Sequence, residues 1–161
     1  MLRDRNLIPL SHQHQHALAL CVRITRALQA GPVDMEQWQA ELTAIMRDEI
    51  DYHFRAEEKI LFPAAERVAT LFPLVKHLRS EHGTLRGLFA KAEIRKLDSS
   101  DLKTLAETLS QHIRTEEREL FEQCQQLLPH GELDRLGSEM DDYFRTSGMP
   151  GASCALRPPA Q

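Results

Sequence analysis

Two short stretches of the chain carry the same pair of metal-ligating residue types at the same spacing. His53 and Glu57 are four residues apart, and so are His112 and Glu116. On an α-helix this spacing brings an imidazole and a carboxylate to one face, one turn apart. Imidazole together with carboxylate suits a divalent transition metal such as iron, manganese or zinc. The repeated pair therefore predicts two sets of metal ligands.

Length, composition and charge favour a single soluble domain. The 161 residues include 42% hydrophobic and 27% charged residues and carry a formal net charge of -4, which gives no reason to expect nucleic-acid binding. The three cysteines lack the spacing of a zinc knuckle or a disulfide framework. No apolar run approaches the roughly 18 residues of a membrane helix, and no signal peptide is recognisable. We therefore expect a cytoplasmic protein that binds neither nucleic acid nor membrane.

Glycine, proline and short polar turns divide the chain into long helical segments. Ala30-Gly31-Pro32 should end the first helix, and Pro63 should kink or end the second. The predicted helices span about residues 11–29, 34–61, 73–96, 100–128 and 132–144. This pattern predicts an all-α, up-down-up-down four-helix bundle with a short C-terminal helix. The bundle domain would cover residues 1–145, and residues 146–161 would form a flexible tail.

The two remaining long helices each offer one histidine on their apolar face. On the first helix the apolar positions centre on His14, whereas His12 and His16 point elsewhere. If His14 is not the ligand, His12 or His16 is the best replacement. On the third helix His82 lies within the apolar stripe and His77 does not. These positions predict that His14 and His82 face the bundle interior.

The six candidate side chains are expected at one depth of the bundle. Antiparallel neighbours rise by about 1.5 Å per residue from their shared loop, and counting from each turn brings the six to within about one helical turn. Buried together, they would be costly unless they bound cations. Two metal ions would resolve that cost, with the histidines terminal, the glutamates bridging and positions open to a small molecule. The candidate metal ligands are His14, His53, Glu57, His82, His112 and Glu116.

Several other polar residues lie beside these candidates. Glu58, Glu81 and Glu117 could accept hydrogen bonds from the ligand imidazoles, but the favoured interpretation is that they are surface charges on solvated helix faces. Cys21, near the inward face of the first helix, is interpreted as a small apolar core residue rather than a ligand or a redox thiol.

Four stretches, in this order and spacing, resemble the hemerythrin-like (HHE cation-binding) family over about residues 10–128. They are HQHQHAL at 12–18, HFRAEE at 53–58 followed by ILFP, EHGTL at 81–85, and HIRTEE at 112–117 followed by LF. The resemblance implies a four-helix bundle around two non-haem irons, with an oxo or hydroxo bridge as one option and manganese or zinc as substitutes. Carried over position by position, it implies the same six ligands.

Two departures from the oxygen-carrying hemerythrins bear on function. Leu78 stands where those proteins have a second histidine on the third helix, and the fourth helix has His-x-x-x-Glu where they have His-x-x-x-x-Asp. Both departures disfavour reversible oxygen carriage. The pattern is more similar to di-iron proteins that repair iron-sulfur clusters and to bacterial hemerythrin-like proteins that decompose peroxide.

We expect a monomer or weak homodimer that binds or senses a small molecule, such as oxygen or nitric oxide, at a carboxylate-bridged di-iron centre. The alternative is a di-iron enzyme of the stress response. Such an enzyme would decompose peroxide or repair iron-sulfur clusters under nitrosative or oxidative stress. Both functions need the same open centre, so the spacing of the ligands does not separate them.

Overall fold

A computed structural model describes residues 2–147, and almost all of this part of the chain is helical. Five helices follow one another in it, with no strand among the described residues. They are α1, Ile8–Ala30; α2, residues 35–66; α3, Phe72–Glu93; α4, residues 99–127; and α5, His130–Thr146. The predicted fold class, a helical bundle with a short C-terminal helix, is confirmed. Residues 148–161, most of the predicted tail, lie outside the described part.

The ends of the helices follow local signals in the sequence. The Asp34 carboxylate accepts a hydrogen bond from the Gln37 N–H (3.0 Å) at the start of α2, and Asp98 accepts one from the Asp101 N–H (2.8 Å) at the start of α4. Both caps satisfy amide groups that have no partner within the helix. Gly31 ends α1 with φ at 134°, a conformation that L side chains rarely adopt.

Two prolines occupy the first turn of a helix, and a third lies within one. Pro63 lies inside α2, shortly after the π turn that ends at Leu61. Pro9 and Pro73 are the second residues of α1 and α3, where an N–H would have no acceptor within the helix. For this reason α1 begins at Ile8, earlier than predicted. Of the two outcomes expected at Pro63, a kink or an end, the end does not occur, because the helix continues through this residue to Glu66.

Helices α2 and α4 are not uniform α-helices. Five-residue π-helical turns interrupt α2 at Met46–Ile50 and Glu57–Leu61 and α4 at Glu116–Leu120. The second and third turns begin at the two glutamates of the repeated motif. A π turn inserts an extra residue and redirects the side chains around it, and such turns are frequent at functional sites.

The apolar core consists of two clusters separated by a layer of polar side chains. The first cluster includes Leu10, Leu61, Leu78 and Leu120. The second includes, from the same four helices, Leu20, Phe54, Leu85 and Ile113. On each helix the buried histidine or glutamate lies between or beside members of the two clusters. The polar groups therefore occupy the middle of the bundle, between the two apolar clusters.

Helix α5 packs against one end of the bundle. Its buried side chains all join the first cluster, and they are Leu133, Leu136, Met140 and Phe144. Its Gly137 lies against the side chain of Asn6, in the segment that precedes α1. Within residues 2–147, no helix combines the length and the apolar character that crossing a membrane requires.

Candidate metal centre

Six side chains from four helices converge in the layer between the two apolar clusters. Each is less than a tenth exposed, and the two glutamates are completely buried. The six are His14 of α1, His53 and Glu57 of α2, His82 of α3, and His112 and Glu116 of α4. We call them the polar layer. The structure thus brings together all six side chains that the sequence singled out.

The polar layer divides into two overlapping groups, each able to hold a metal ion. His14 and His53, the α1–α2 pair, form one group with the two glutamates, and His82 and His112, the α3–α4 pair, form the other. In each group the potential ligand atoms lie within 4.8 Å of one another. Two imidazoles and two carboxylate oxygens suit a divalent transition metal.

Each glutamate directs one oxygen toward each histidine pair. Glu57 Oε1 lies 3.2 Å from His53 Nε2, and Glu57 Oε2 lies 3.3 Å from His82 Nε2. Glu116 Oε2 lies 3.2 Å from His14 Nε2, and its Oε1 lies 3.3 Å from His112 Nε2. Despite these short distances, none of the four buried oxygens accepts a hydrogen bond with proper geometry. Buried carboxylates without such partners are costly unless a cation compensates them.

In all four imidazoles of the polar layer, Nδ1 lies within hydrogen-bond distance of an oxygen that can accept its proton. We call these oxygens the outer acceptors. The Nδ1–acceptor pairs are His14–Glu117 at 2.7 Å, His53–Gln13 at 2.7 Å, His82–Glu58 at 2.8 Å and His112–Glu81 at 2.9 Å. Because carboxylate and amide oxygens only accept, Nδ1 carries the proton, and Nε2 of the neutral ring keeps its lone pair. All four Nε2 atoms are therefore prepared to bind a metal.

The interpretation of Glu58, Glu81 and Glu117 as surface charges is wrong. All three are at least partly buried and hold a layer imidazole. Gln13 was not identified from the sequence at all. The sequence did contain a signal for these four acceptors. Each repeated motif reads His-x-x-x-Glu-Glu, so a second glutamate follows the candidate ligand. A hydrogen-bonding residue also directly precedes both His14 and His82.

Within each pair the two Nε2 atoms face one another. They are 2.9 Å apart between His14 and His53 and 3.0 Å apart between His82 and His112. Two nitrogen lone pairs at this distance repel unless a proton or a metal ion lies between them. The donor set of this structure therefore fits one cation at each pair.

The electrostatics of the metal-free layer support the same conclusion. Burial alone would lower the pKa of His14, but the neighbouring carboxylates of Glu116 and Glu117 raise it to about 9. Burial likewise opposes protonation of His112, yet the charge of the nearby Glu116 carboxylate and the hydrogen bond with Glu81 raise the pKa to about 10. Without a metal, protons on the imidazoles balance the buried carboxylates. A metal ion would take the place of those protons.

Arginine and phenylalanine side chains keep the layer in position from outside. Phe54 stacks on His82 with ring centroids 3.9 Å apart. Arg86 donates hydrogen bonds of 2.6 and 3.1 Å to Glu58, and Arg3 donates one of 2.7 Å to Glu117. Charged donors on these carboxylates fix their orientation, and with it the orientation of the imidazoles they hold.

The other four histidines lie outside the polar layer. His12, His16, His77 and His130 are exposed, so neither His12 nor His16 replaces His14. Cys21 is buried in the second apolar cluster. Burial raises the pKa of its thiol to about 11, which keeps it protonated and agrees with a core role.

A family model described as the hemerythrin HHE cation binding domain matches residues 9–124. The chain belongs to this family. No curated protein and no solved structure shows a significant match to it. The range that matches the HHE domain contains the whole polar layer and its four outer acceptors, whereas α5 follows it. Membership in the HHE family and the buried His/Glu groups together indicate a metal-binding protein.

Proposed function

We propose that the protein is a non-haem di-iron protein whose centre binds or senses a small molecule such as oxygen or nitric oxide. The observation that carries the proposal is the pairing of facing Nε2 atoms, with two buried glutamates that direct one oxygen to each pair. The α1–α2 pair would hold one iron, the α3–α4 pair would hold the other, and Glu57 and Glu116 would bridge them. Manganese or zinc suits the same ligands.

The surrounding residues would prepare this centre for a small ligand. The outer acceptors keep the proton on Nδ1, which strengthens Nε2 as a donor, and the two apolar clusters pack on either side of the layer. When bound, the irons would supply redox chemistry and coordination positions that the six protein ligands leave open. An apolar cavity reaches the layer at His14, His53 and His112, and an apolar path favours uncharged molecules such as the two gases.

One observation also favours the enzymatic alternative, peroxide decomposition or the repair of iron-sulfur clusters. Leu78 is completely buried in the first apolar cluster, and because its side chain is a hydrocarbon it adds no ligand atom to the α3–α4 pair. Fewer protein donors leave more positions for an incoming ligand, and peroxide offers two oxygens. The same centre would serve both functions, and turnover distinguishes them.

The metal content of purified variants tests the centre. Wild type from iron-supplied cells should hold about two irons per chain, whereas Glu57→Ala and Glu116→Ala should each hold far less. Glu119→Ala is the matched control, because Glu119 lies in the same π turn as Glu116 but is exposed. Equal metal in all four proteins would exclude the proposed centre.

The function of the loaded protein is tested next by exposing it to gas and to peroxide. A binding or sensing protein should show a reversible change in its absorption spectrum with nitric oxide or oxygen, and negligible turnover. Sustained oxygen evolution from hydrogen peroxide, or recovery of a damaged iron-sulfur protein, would instead establish the enzymatic alternative. An unchanged spectrum with every ligand would contradict both.

A further inference from the structure

An apolar cavity leads from the surface into the bundle beside the polar layer. Its volume is about 280 Å³, and α1, α2 and α4 line it. The exposed side chains of His16, Arg23 and Glu49 lie at its mouth. The imidazoles of His14 and His53 lie at its inner end. The cavity therefore joins solvent to the α1–α2 pair.

Between its mouth and its inner end, the cavity is lined by apolar side chains. The π turn Met46–Ile50 contributes two of the lining residues, Glu49 and Ile50. The apolar wall includes Ala17, Leu20, Ile45, Ile50, Leu109 and Ile113. Apart from the mouth, the polar atoms of the lining are those of Gln13 and the layer histidines. A molecule inside would meet an apolar surface along its length and polar groups at its inner end.

The size of the cavity exceeds what a diatomic gas requires. A water molecule takes up roughly 30 Å³ in the liquid, and an apolar cavity of roughly 150 Å³ is enough to bind benzene. Empty apolar space also forfeits dispersion contacts for the atoms around it. A cavity of about 280 Å³ matches an organic molecule rather than oxygen or nitric oxide.

The charges at the mouth point to an uncharged occupant. Arg23 donates hydrogen bonds of 2.5 and 2.9 Å to Glu41, and His16 Nδ1 lies 3.8 Å from Glu49. Both side chains thus already face a carboxylate. A charged ligand would have to lose its hydration against hydrocarbon walls, which is costly.

We propose that this cavity binds a neutral organic molecule of about six to twelve non-hydrogen atoms, with an apolar body and one hydroxyl or hydroperoxide end. The apolar body lies against the α1, α2 and α4 walls, and the O–H end lies toward His14 and His53. This goes beyond the binding of a diatomic gas. It concerns the cavity and not the metal, so it can be tested on metal-free protein.

The test is calorimetric titration of chelator-treated protein with 2-phenyl-2-propanol and with cumene hydroperoxide, which share one body and differ in the polar end. Both should bind once per chain, with a Kd on the order of 0.1–1 mM. Benzoate, of similar size but charged, should bind at least about tenfold more weakly. No saturable binding of the first two, or tighter binding of benzoate, would overturn the proposal.

A substitution that fills the cavity with a larger side chain tests where the ligand binds, and the same substitution outside the cavity is its control. Ala17→Phe places a ring in the cavity and should weaken binding of the alcohol at least about tenfold, whereas Ala40→Phe adds the same ring at an exposed position of α2 outside the lining and should change nothing. Circular dichroism checks that both variants fold. Equal binding by Ala17→Phe and wild type would contradict the assigned site.

Nuclear Overhauser effects in wild type locate the ligand without any variant. The alcohol should show them to methyl groups of Ile50 and Leu109, and not to Val22, which is exposed outside this lining. Contacts to Val22 alone would place the ligand elsewhere and refute the proposal. Because iron content is measured separately, loss of the organic ligand and loss of the metal centre are distinguishable.

Discussion

Gln13 and Glu81 play equivalent parts on the two sides of the polar layer, but only Glu81 carries a charge. Gln13 Oε1 lies 2.7 Å from His53 Nδ1, and Glu81 Oε2 lies 2.9 Å from His112 Nδ1. Each directly precedes a layer histidine on its own helix. A carboxylate acceptor makes an imidazole a stronger donor than an amide acceptor does. The α3–α4 pair should therefore bind metal more tightly than the α1–α2 pair.

Exchanging these two residues should alter metal affinity in opposite directions. Glu81→Gln should lower the affinity of the tighter position by about 10-fold to 100-fold, and Gln13→Glu should raise that of the weaker one. Competition with a chromophoric chelator, using Zn²⁺, measures both constants. Gln15→Glu, which adds the same charge at an exposed position of α1, should leave them unchanged. A shift as large in that control would attribute the effect to general charge.

The metal-free protein should lose stability as the pH rises. The folded-state pKa values of His14, about 9, and His112, about 10, lie above the ordinary value of 6.5. Protonation therefore stabilises the fold fully below about pH 6.5, and this contribution is lost as the pH rises through 9 to 10. Melting temperatures of chelated protein between pH 6 and pH 10 should fall accordingly.

Two further measurements test whether protonation of His14 and His112 causes this pH dependence. Glu116 is a principal cause of both raised pKa values, so metal-free Glu116→Gln should show a weaker pH dependence. Bound metal replaces the protons and binds more tightly at higher pH. The gap between the melting temperatures of loaded and chelated protein should therefore widen with pH, and a constant gap would argue against metal at these imidazoles.

Arg86 should stabilise the α3 side of the layer. Its guanidinium donates two hydrogen bonds to Glu58 and lies over the ring of Phe54. Burial opposes ionisation of Glu58, but hydrogen bonds from His82 and Arg86 lower its pKa to about 2. Because Arg86 is a third exposed, Arg86→Ala should cost about 1–2 kcal/mol of unfolding free energy.

Urea unfolding measures this cost, and an exposed pair provides the control. Arg47 bonds to Asp48 at the surface, so Arg47→Ala should change stability by less than about 0.5 kcal/mol. Arg86→Lys keeps the charge without the two-pronged geometry and should recover only part of the loss. Equal effects of the two alanine variants would show that Arg86 is an ordinary surface residue.

Gly137 should be required for α5 to pack against the chain before α1. A Cβ at this position would lie 2.2 Å from Asn6 Oδ1 and 2.8 Å from Asn6 Cβ, so the two segments must separate. Gly137→Ala should destabilise the protein by about 1–3 kcal/mol. Gly87→Ala on α3, where no atom would lie within 4 Å of the new Cβ, should be neutral or stabilising. Thermal unfolding of both variants tests this, and equal shifts would disprove it.

The helices and the inward residues could be predicted because they depend on information within each segment. Glycine, proline and capping residues set the helix ends, and the 3.6-residue period distinguished His14 from His12 and His16, and His82 from His77. The depth of each residue followed from counting along antiparallel neighbours. These are properties of one helix, or of two helices that share a short turn.

The outer acceptors, the π turns and the cavity depended on the tertiary structure. Whether Glu58 reaches His82, or Glu81 reaches His112, depends on how two helices are rotated against each other. A carboxylate that stays at the surface would have the same spacing in the sequence, so the spacing does not reveal these contacts. The π turns shift backbone hydrogen bonds without a residue type that marks them. The sequence by itself therefore determined which groups face inward, whereas packing between helices decided which atoms meet there. The reason is precision. Residue counting places a side chain to within about one helical turn, but a contact between two atoms depends on smaller rotations and offsets of the helices.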